Sequence, residues 1–232
     1  IGANYIQYMT RGIDSSKLWI GTFSNGLIEF DIKDEDFKKY TYDPKIKTSL
    51  SYNDVRYIIP ELNGDLWIAT WGGGLNYFDS KNNLFQKVTA GKSLLSNNLV
   101  ALQKDDQKLW IATFGGGLGL YNIEKETFKN FKFEENNSNT PSSNKLFSIL
   151  LDSSGRLWIG TSGAGINSYS PNDGIFERFS NEERLKYATI TAILEDNKGD
   201  IWFSTKHKKY KATLINTYGD VIYNMTVNDT IA

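Results

Sequence analysis

The side chains able to do covalent or metal chemistry in this chain are few. Cysteine is absent and His207 is the one histidine. That composition rules out disulfides, cysteine-based metal sites and any histidine cluster around zinc. Carboxylates are plentiful, but most fall in short polar turns such as Asn63-Gly64-Asp65 and Asp105-Asp106-Gln107, where turn formation accounts for them. There is no nucleophile elbow and no HExxH pattern. The glycine runs Gly72–Gly74 and Gly115–Gly117 lead into β-type segments rather than helices, which excludes dinucleotide and phosphate loops. No enzyme activity, metal site or cofactor is expected.

Binding chemistry is better represented. Three aromatic residues, Phe23, Trp71 and Phe114, each stand at the shoulder of a glycine-bearing segment: Phe23-Ser24-Asn25-Gly26, Trp71-Gly72-Gly73-Gly74 and Phe114-Gly115-Gly116-Gly117. A fourth segment, Ser162-Gly163-Ala164-Gly165, lacks the ring. Aromatic faces beside exposed backbone amides suit a carbohydrate, whose apolar face stacks while its hydroxyls hydrogen-bond. The same rings would serve equally to cap a core, and the glycines to make tight hairpins. Asn53, Asn98 and Asn144 (with Asn4 before them and Ala188 in the last repeat) end long polar crossovers. They form either Asx turns or a rim of amides. The last repeat replaces the glycine hairpin with Lys206-His207-Lys208-Lys209-Tyr210-Lys211. This is either a solvated tip or a contact for an anionic ligand such as a uronate or sulfated sugar.

The elements that must position these residues follow from a repeated phrase. It reads LWIGT at Leu18–Thr22, LWIAT at Leu66–Thr70 and Leu109–Thr113, LWIGT at Leu157–Thr161 and IWFST at Ile201–Thr205. The tryptophans Trp19, Trp67, Trp110, Trp158 and Trp202 are 48, 43, 48 and 44 residues apart. A period in the mid-forties marks repetition of one supersecondary unit. The second repeat shows its plan: strands A (Val55–Pro60), B (Leu66–Thr70), C (Leu75–Asp79) and D (Phe85–Thr89), divided by Gly/Asn/Asp/Ser punctuation. None has a helical apolar period. Strand B is apolar on both faces, as a strand buried on both sides must be. A small residue follows each Trp by two positions (Gly21, Ala69, Ala112, Gly160, Ser204), a notch for a bulky residue of the next sheet.

The expected fold is therefore all-β, a β-propeller of four-stranded blades. The blades are expected at 3–48, 51–94, 96–140, 141–184 and 187–230, either closing as a five-bladed ring or forming part of a larger propeller. In the last repeat, Leu214–Tyr218 fits strand C and Val221–Val227 strand D, with a B-to-C distance about four residues longer than elsewhere. Up-and-down strand order puts the B–C hairpins and D–A crossovers at one end, and the A–B and C–D turns at the other.

Composition adds bounds. Forty per cent hydrophobic and 14% aromatic residues suffice for a core, and a net charge of −1 favours neither nucleic acid nor membrane surfaces. No apolar run approaches membrane-spanning length. The chain opens at Ile1 without a visible signal peptide, as expected of a segment processed or excised from something longer.

The repeats resemble the two-component regulator propeller family. The resemblance lies in Asn53…Leu66-Trp67-Ile68-Ala69-Thr70-x-Gly72-Gly73-Gly74-Leu75…Tyr77-Phe78-Asp79 and in Asn98…Leu109-Trp110-Ile111-Ala112-Thr113-x-Gly115-Gly116-Gly117-Leu118…Tyr121-Asn122. It covers repeats one to four and the first half of the fifth. It implies the periplasmic sensing region of a membrane-bound, often hybrid, histidine kinase that recognises glycan breakdown products. It also implies a neighbouring propeller or immunoglobulin-like domain in the parent chain, and a homodimer as a further partner. The expected ligand is an oligosaccharide, met by Phe23, Trp71, Phe114, Asn53, Asn98, Asn144 and Lys206, His207, Lys208 and Lys209. Alternatives are a scaffold for protein–protein contact and, remotely, a lyase-type propeller.

Overall fold

The computed structural model describes residues 5–88, 94–179, 185–206, 210–215 and 221–226, and every regular element among them is a β-strand. The first sheet contains β1 (Ile6–Arg11), β2 (Lys17–Thr22), β3 (Leu27–Asp31) and β4 (Asp36–Tyr40). The second contains β5 (Val55–Pro60), β6 (Leu66–Thr70), β7 (Gly74–Asp79) and β8 (Leu84–Val88). The third contains β9 (Leu99–Asp105), β10 (Lys108–Thr113), β11 (Leu118–Asn122) and β12 (Thr127–Phe131). The fourth contains β13 (Leu146–Leu151), β14 (Leu157–Thr161), β15 (Ile166–Ser170) and β16 (Ile175–Arg178). The fifth contains β17 (Ile190–Glu195), β18 (Ile201–Thr205), β19 (Tyr210–Ile215) and β20 (Val221–Thr226). In every sheet the strands neighbour one another in chain order, the up-and-down arrangement of a propeller blade.

Two strands of the second sheet start one residue before the expected ones, and Thr89, the expected end of the fourth strand, lies outside the described residues. β7 starts at Gly74, which pairs with Thr70, and β8 starts at Leu84, which pairs with Asp79. In the fifth sheet the third strand lies four residues earlier than expected. Ser204 pairs with Ala212 and Ile201 with Ile215, so strand C is Tyr210–Ile215 and not Leu214–Tyr218. Apolar Tyr210, Ala212 and Leu214 alternate there with Lys211 and Thr213. That alternation is the strand signal, which the surrounding lysines hide.

The molecule divides into two compact units: Ile1–Thr113 with Leu120–Lys129, and Phe114–Gly119 with Asn130–Ala232. In the first unit one core layer joins Trp19, Leu27, Leu50, Val55, Ile58 and Phe78, and another joins Trp67, Ala69, Leu99, Leu109, Ile111 and Tyr121. In the second unit Trp158, Ile166, Leu185, Ile190 and Phe203 form the equivalent layer. Burying a Trp removes roughly 150–250 Å² from water, about 4–6 kcal/mol before the entropy of ordering it. The notch after each Trp is real at two places. A Cβ on Gly21 would lie 2.8 Å from Val55 Cγ1, and one on Gly160 would lie 2.8 Å from Ile190 Cβ. At Gly21 the first residue of the next sheet occupies the space a side chain would need, and at Gly160 the first residue of the next sheet does so together with Ser148 Oγ of its own sheet.

The alternating 48- and 43-residue spacing has a structural cause. The two long crossovers, before the second and fourth sheets, are fastened by a wholly buried asparagine on the third strand of the sheet they enter. Asn76 Oδ1 accepts the Ser51 amide at 2.9 Å and Asn76 Nδ2 donates to Ser51 Oγ at 2.7 Å. Asn167 does the same to Ser142, at 2.9 Å in both bonds. Four crossovers also drop one apolar residue into the core three positions before the rim: Leu50, Leu94, Pro141 and Leu185 are all buried.

Candidate functional site

The hairpins that carry the aromatic shoulders are built by the threonine that closes each Trp motif. Thr22, Thr70 and Thr161 are buried, and their hydroxyls donate to the carbonyls of Gly26, Gly74 and Gly165 at 2.8, 2.8 and 2.7 Å. Each hairpin then docks on the crossover of the next repeat. Gly26 N donates to Asn53 O, Gly72 and Gly74 N to Asn97 O, Gly115 and Gly117 N to Asn144 O, and Gly165 N to Ala188 O. Hairpins and crossovers therefore share one end of each sheet. Gly26 has φ of 76°, and a Cβ there would sit 2.2 Å from Tyr40 O. The glycines are thus required by left-handed backbone and close strand approach.

Among the described residues, the side chain of the crossover-end asparagine clasps its own crossover at Asn53 and Asn144. Asn53 Oδ1 accepts the Tyr42 amide at 2.7 Å, and Asn144 Oδ1 accepts the Phe133 amide at 2.8 Å. In the third repeat the equivalent residue is Asn97, whose carbonyl takes the hairpin amides. Asn98 is displaced by one and instead pairs in the backbone with Trp71. Two adjacent asparagines made the one-residue assignment illegible in sequence. Ala188 holds the position in the fifth repeat, as expected.

In the first unit, Phe23 and Trp71 share a neighbour that the sequence reading missed. Arg56 lies with its guanidinium carbon 5.0 Å from the Trp71 ring centre and 5.8 Å from that of Phe23. Both distances suit cation–π attraction. Buried Asp54 fixes the guanidinium in a fork, with Nε to Oδ1 at 2.6 Å and Nη2 to Oδ2 at 2.8 Å. Asp54 also accepts the Trp71 amide through its carbonyl at 2.8 Å. One carboxylate-bearing residue therefore positions both the cation and the ring. Phe23 is 50% exposed and meets Tyr5 edge-on at 6.5 Å. The result is a solvent-facing aromatic surface of Tyr5, Phe23 and Trp71 around a pre-oriented arginine.

Arg56 reaches that surface because β5 contains an irregularity. The register of β5 against β6 slips between Val55 and Tyr57, leaving Arg56 as the extra residue of a bulge. The slip recurs in the first strand of every sheet and singles out Gln7, Val100, Phe147 and Thr191. In the second unit Phe147 lies edge-on to Phe114 at 6.0 Å, and Lys145 Nζ stands 5.8 Å from the Phe114 ring centre. The bulge leaves no glycine or proline signature. The available signal was Asp54 and Arg56 two residues apart at the mouth of an apolar strand.

Lys206 is exposed, and its amide donates to Thr189 O at 2.9 Å, as the Trp71 amide does to Asp54 O. It is the fifth repeat's counterpart of the aromatic shoulders. His207, Lys208 and Lys209 lie outside the described residues. The turns at the other end of the sheets have structural work: Asp152 and Asp196 accept the indole N–H of Trp158 and Trp202 at 2.7 and 2.8 Å.

Residues 140–163 and 184–207 match the model of the two-component regulator propeller family. No curated protein matches the sequence. Among solved structures, the chain is similar to the extracellular domain of a hybrid two component system from B. thetaiotaomicron. The TM-score is 0.82 at 22% identity, over 99% of this chain and 29% of that one. A second such domain from the same organism gives a TM-score of 0.78 at 22% identity, over 97% and 31%. The Cps50 (Swd1) β-propeller domain of Myceliophteria thermophila gives 0.67 at 10% identity, over 97% and 73%. These likenesses establish the β-propeller fold. The chain spans about three-tenths of the length of the two bacterial extracellular domains.

Proposed function

We propose that this chain, a bearer of two-component regulator propeller repeats, is a non-catalytic ligand-sensing segment of a periplasmic two-component sensor. The observation that carries the binding reading is the Asp54–Arg56 fork beneath the Trp71 and Phe23 rings. A fixed guanidinium framed by half-exposed aromatic faces suits a ligand with a planar apolar face and hydroxyl or carboxylate oxygens. An oligosaccharide, uronate-bearing if Lys206 and its neighbours take part, has those features. The sensing role and the periplasmic setting are supported by the family match and by the extracellular two-component domains whose fold the chain shares. Any phosphoryl chemistry would belong to the parent protein.

Calorimetric titration with neutral and acidic oligosaccharides tests the reading. Saturable binding that weakens at least about tenfold in Trp71→Ala is expected, the size of one lost stacking contact. A panel in which nothing binds would favour the alternative, a scaffold for protein contact. Exposed Ile6 and Met9 on β1 would serve that role. Binding that ignores both Trp71→Ala and Phe23→Ala would remove the hairpin end as the site.

A further inference from the structure

The last position of the fourth strand normally supplies an aromatic ring that closes the groove against the following sheet. In the first unit Tyr40 does this, with its ring centre 6.1 Å from Trp19, 5.0 Å from Phe78 and 5.7 Å from Phe85. In the second unit Phe131 lies 5.1 Å from Tyr169 and 5.5 Å from Phe176. Phe179, the residue after β16, stacks on Trp158 at 5.4 Å. In the second repeat the same position is Val88, at the end of β8. The residues such a ring would cover are present: Tyr121 and Phe128 stand where Phe78 and Phe85 stand one repeat earlier, with ring centres 4.6 Å apart. Phe85 is buried, whereas Phe128 is only half-buried. The fourth-strand ring is replaced by Val88, and Tyr77 of β7 packs on Trp67 with ring centres 4.7 Å apart.

The groove measures about 580 Å³, against about 520 Å³ for the groove beside Tyr40, with Trp67, Tyr77, Val88, Tyr121 and Phe128 among its walls and Glu61 and Lys104 at its polar side. For comparison, roughly 150 Å³ of apolar cavity holds a benzene ring. Tyr77 is held in place by its hydroxyl, which donates to Asp65 Oδ2 at 2.7 Å. Glu61 Oε2 pairs with Lys104 Nζ at 2.9 Å. Glu61 Oε1 is buried and accepts no hydrogen bond from a described residue. Beside β4 the Tyr40 hydroxyl donates to Glu29 Oε2 at 2.8 Å. The strand position of Glu29 opposite Trp19 is taken by Tyr77 opposite Trp67, so the carboxylate facing this groove is Glu61, from the turn before β6.

We propose that the groove beside Val88 is a binding site for a small phenol-class ligand, whose ring takes the place of the missing fourth-strand aromatic and whose hydroxyl donates to Glu61 Oε1. The site shares no residue with the Arg56 surface and does not depend on the reading given for it. The test is titration of the full chain with p-cresol, followed by NMR at the Trp67 indole and the Tyr121 ring. Saturable shifts at both residues are expected, with affinity at least about tenfold weaker in Val88→Phe. That variant supplies the ring from the chain itself and should also melt at a higher temperature. Affinity weaker than about 10 mM in the unaltered chain, or equal binding by Val88→Phe, would overturn the proposal. Should Val88→Phe fail to fold, p-cresol is compared with p-methylanisole, which lacks the donor. Preference for p-cresol at the Trp67 signal supports the site, and equal affinity overturns it.

Discussion

Replacing Asn76 by Leu is the most direct test of how the long crossovers are held. Asn76 is fully buried, and Leu is near enough in volume to leave no cavity. What disappears is the pair of bonds to Ser51, at 2.9 Å from the Ser51 amide and 2.7 Å to its hydroxyl. Each such bond is worth about 1 kcal/mol net, and stranding the Ser51 amide adds about 1–2 kcal/mol. The expected loss is about 2–4 kcal/mol, or roughly 5–12 °C in Tm for a chain of this size. Urea unfolding of Asn76→Leu, Ser51→Ala and the double variant measures it. The two single losses should exceed the double loss when summed, because both remove the same contact. A loss below about 0.5 kcal/mol, or strict additivity, would refute the fastening and leave the 48-residue spacing without its physical cause.

Other outcomes follow from the same geometry. Gly160→Val should cost about 2–3 kcal/mol by overpacking against Ser148 Oγ and Ile190, read from the urea midpoint; an unchanged midpoint would mean that the space beside Gly160 is not filled. Burial raises the pKa of Asp65, but the hydrogen bonds from Tyr77, Ser80 and Asn63 outweigh it and hold the carboxyl below the ordinary 3.8. Its contribution to stability is therefore intact above about pH 4 and drains as the pH falls through the folded value, so Asp65→Asn should flatten the acid limb of a Tm–pH profile. Tyr77 is pushed up to about 12 by burial and then by Asp65. Its contribution is complete below the ordinary value of 10.0, shrinks as the pH rises through about 12, and should vanish in Tyr77→Phe when alkaline unfolding is followed by circular dichroism.

The repeat, the strand count per repeat and the notch at Gly21 and Gly160 were legible because each depends on local pattern. Apolar alternation, turn residues and a Trp two positions before a small residue mark them directly. The third strand of the fifth sheet was placed four residues late because Lys211 and the residues around it disguise a period-two strand. The asparagine rim was expected as local Asx turns, but Asn53 and Asn144 instead clasp amides eleven residues earlier, and at Asn98 the neighbouring Asn97 offers an identical side chain. The Arg56 surface was hidden for a different reason. It depends on a backbone bulge, which is a register event between two strands and has no residue type of its own. Asn76 and Asn167 carry no signal of their own in sequence, since a buried amide declares its purpose only when its serine partner is placed beside it. The open groove needed both levels at once: a comparison of repeats to notice Val88, and coordinates to see that Tyr121 and Phe128 remain.

The asparagine fastening occurs at every other junction, which changes what counts as the interchangeable part of this protein. Measured from Trp19 to Trp110, Trp67 to Trp158 and Trp110 to Trp202, the intervals are 91, 91 and 92 residues. The module that recurs with all its joints intact is a pair of sheets, one entered by a long strap and one by a short. Grafting, deletion or duplication should therefore succeed in steps of two. A splice of a single sheet would mate a strap with a partner lacking its amide.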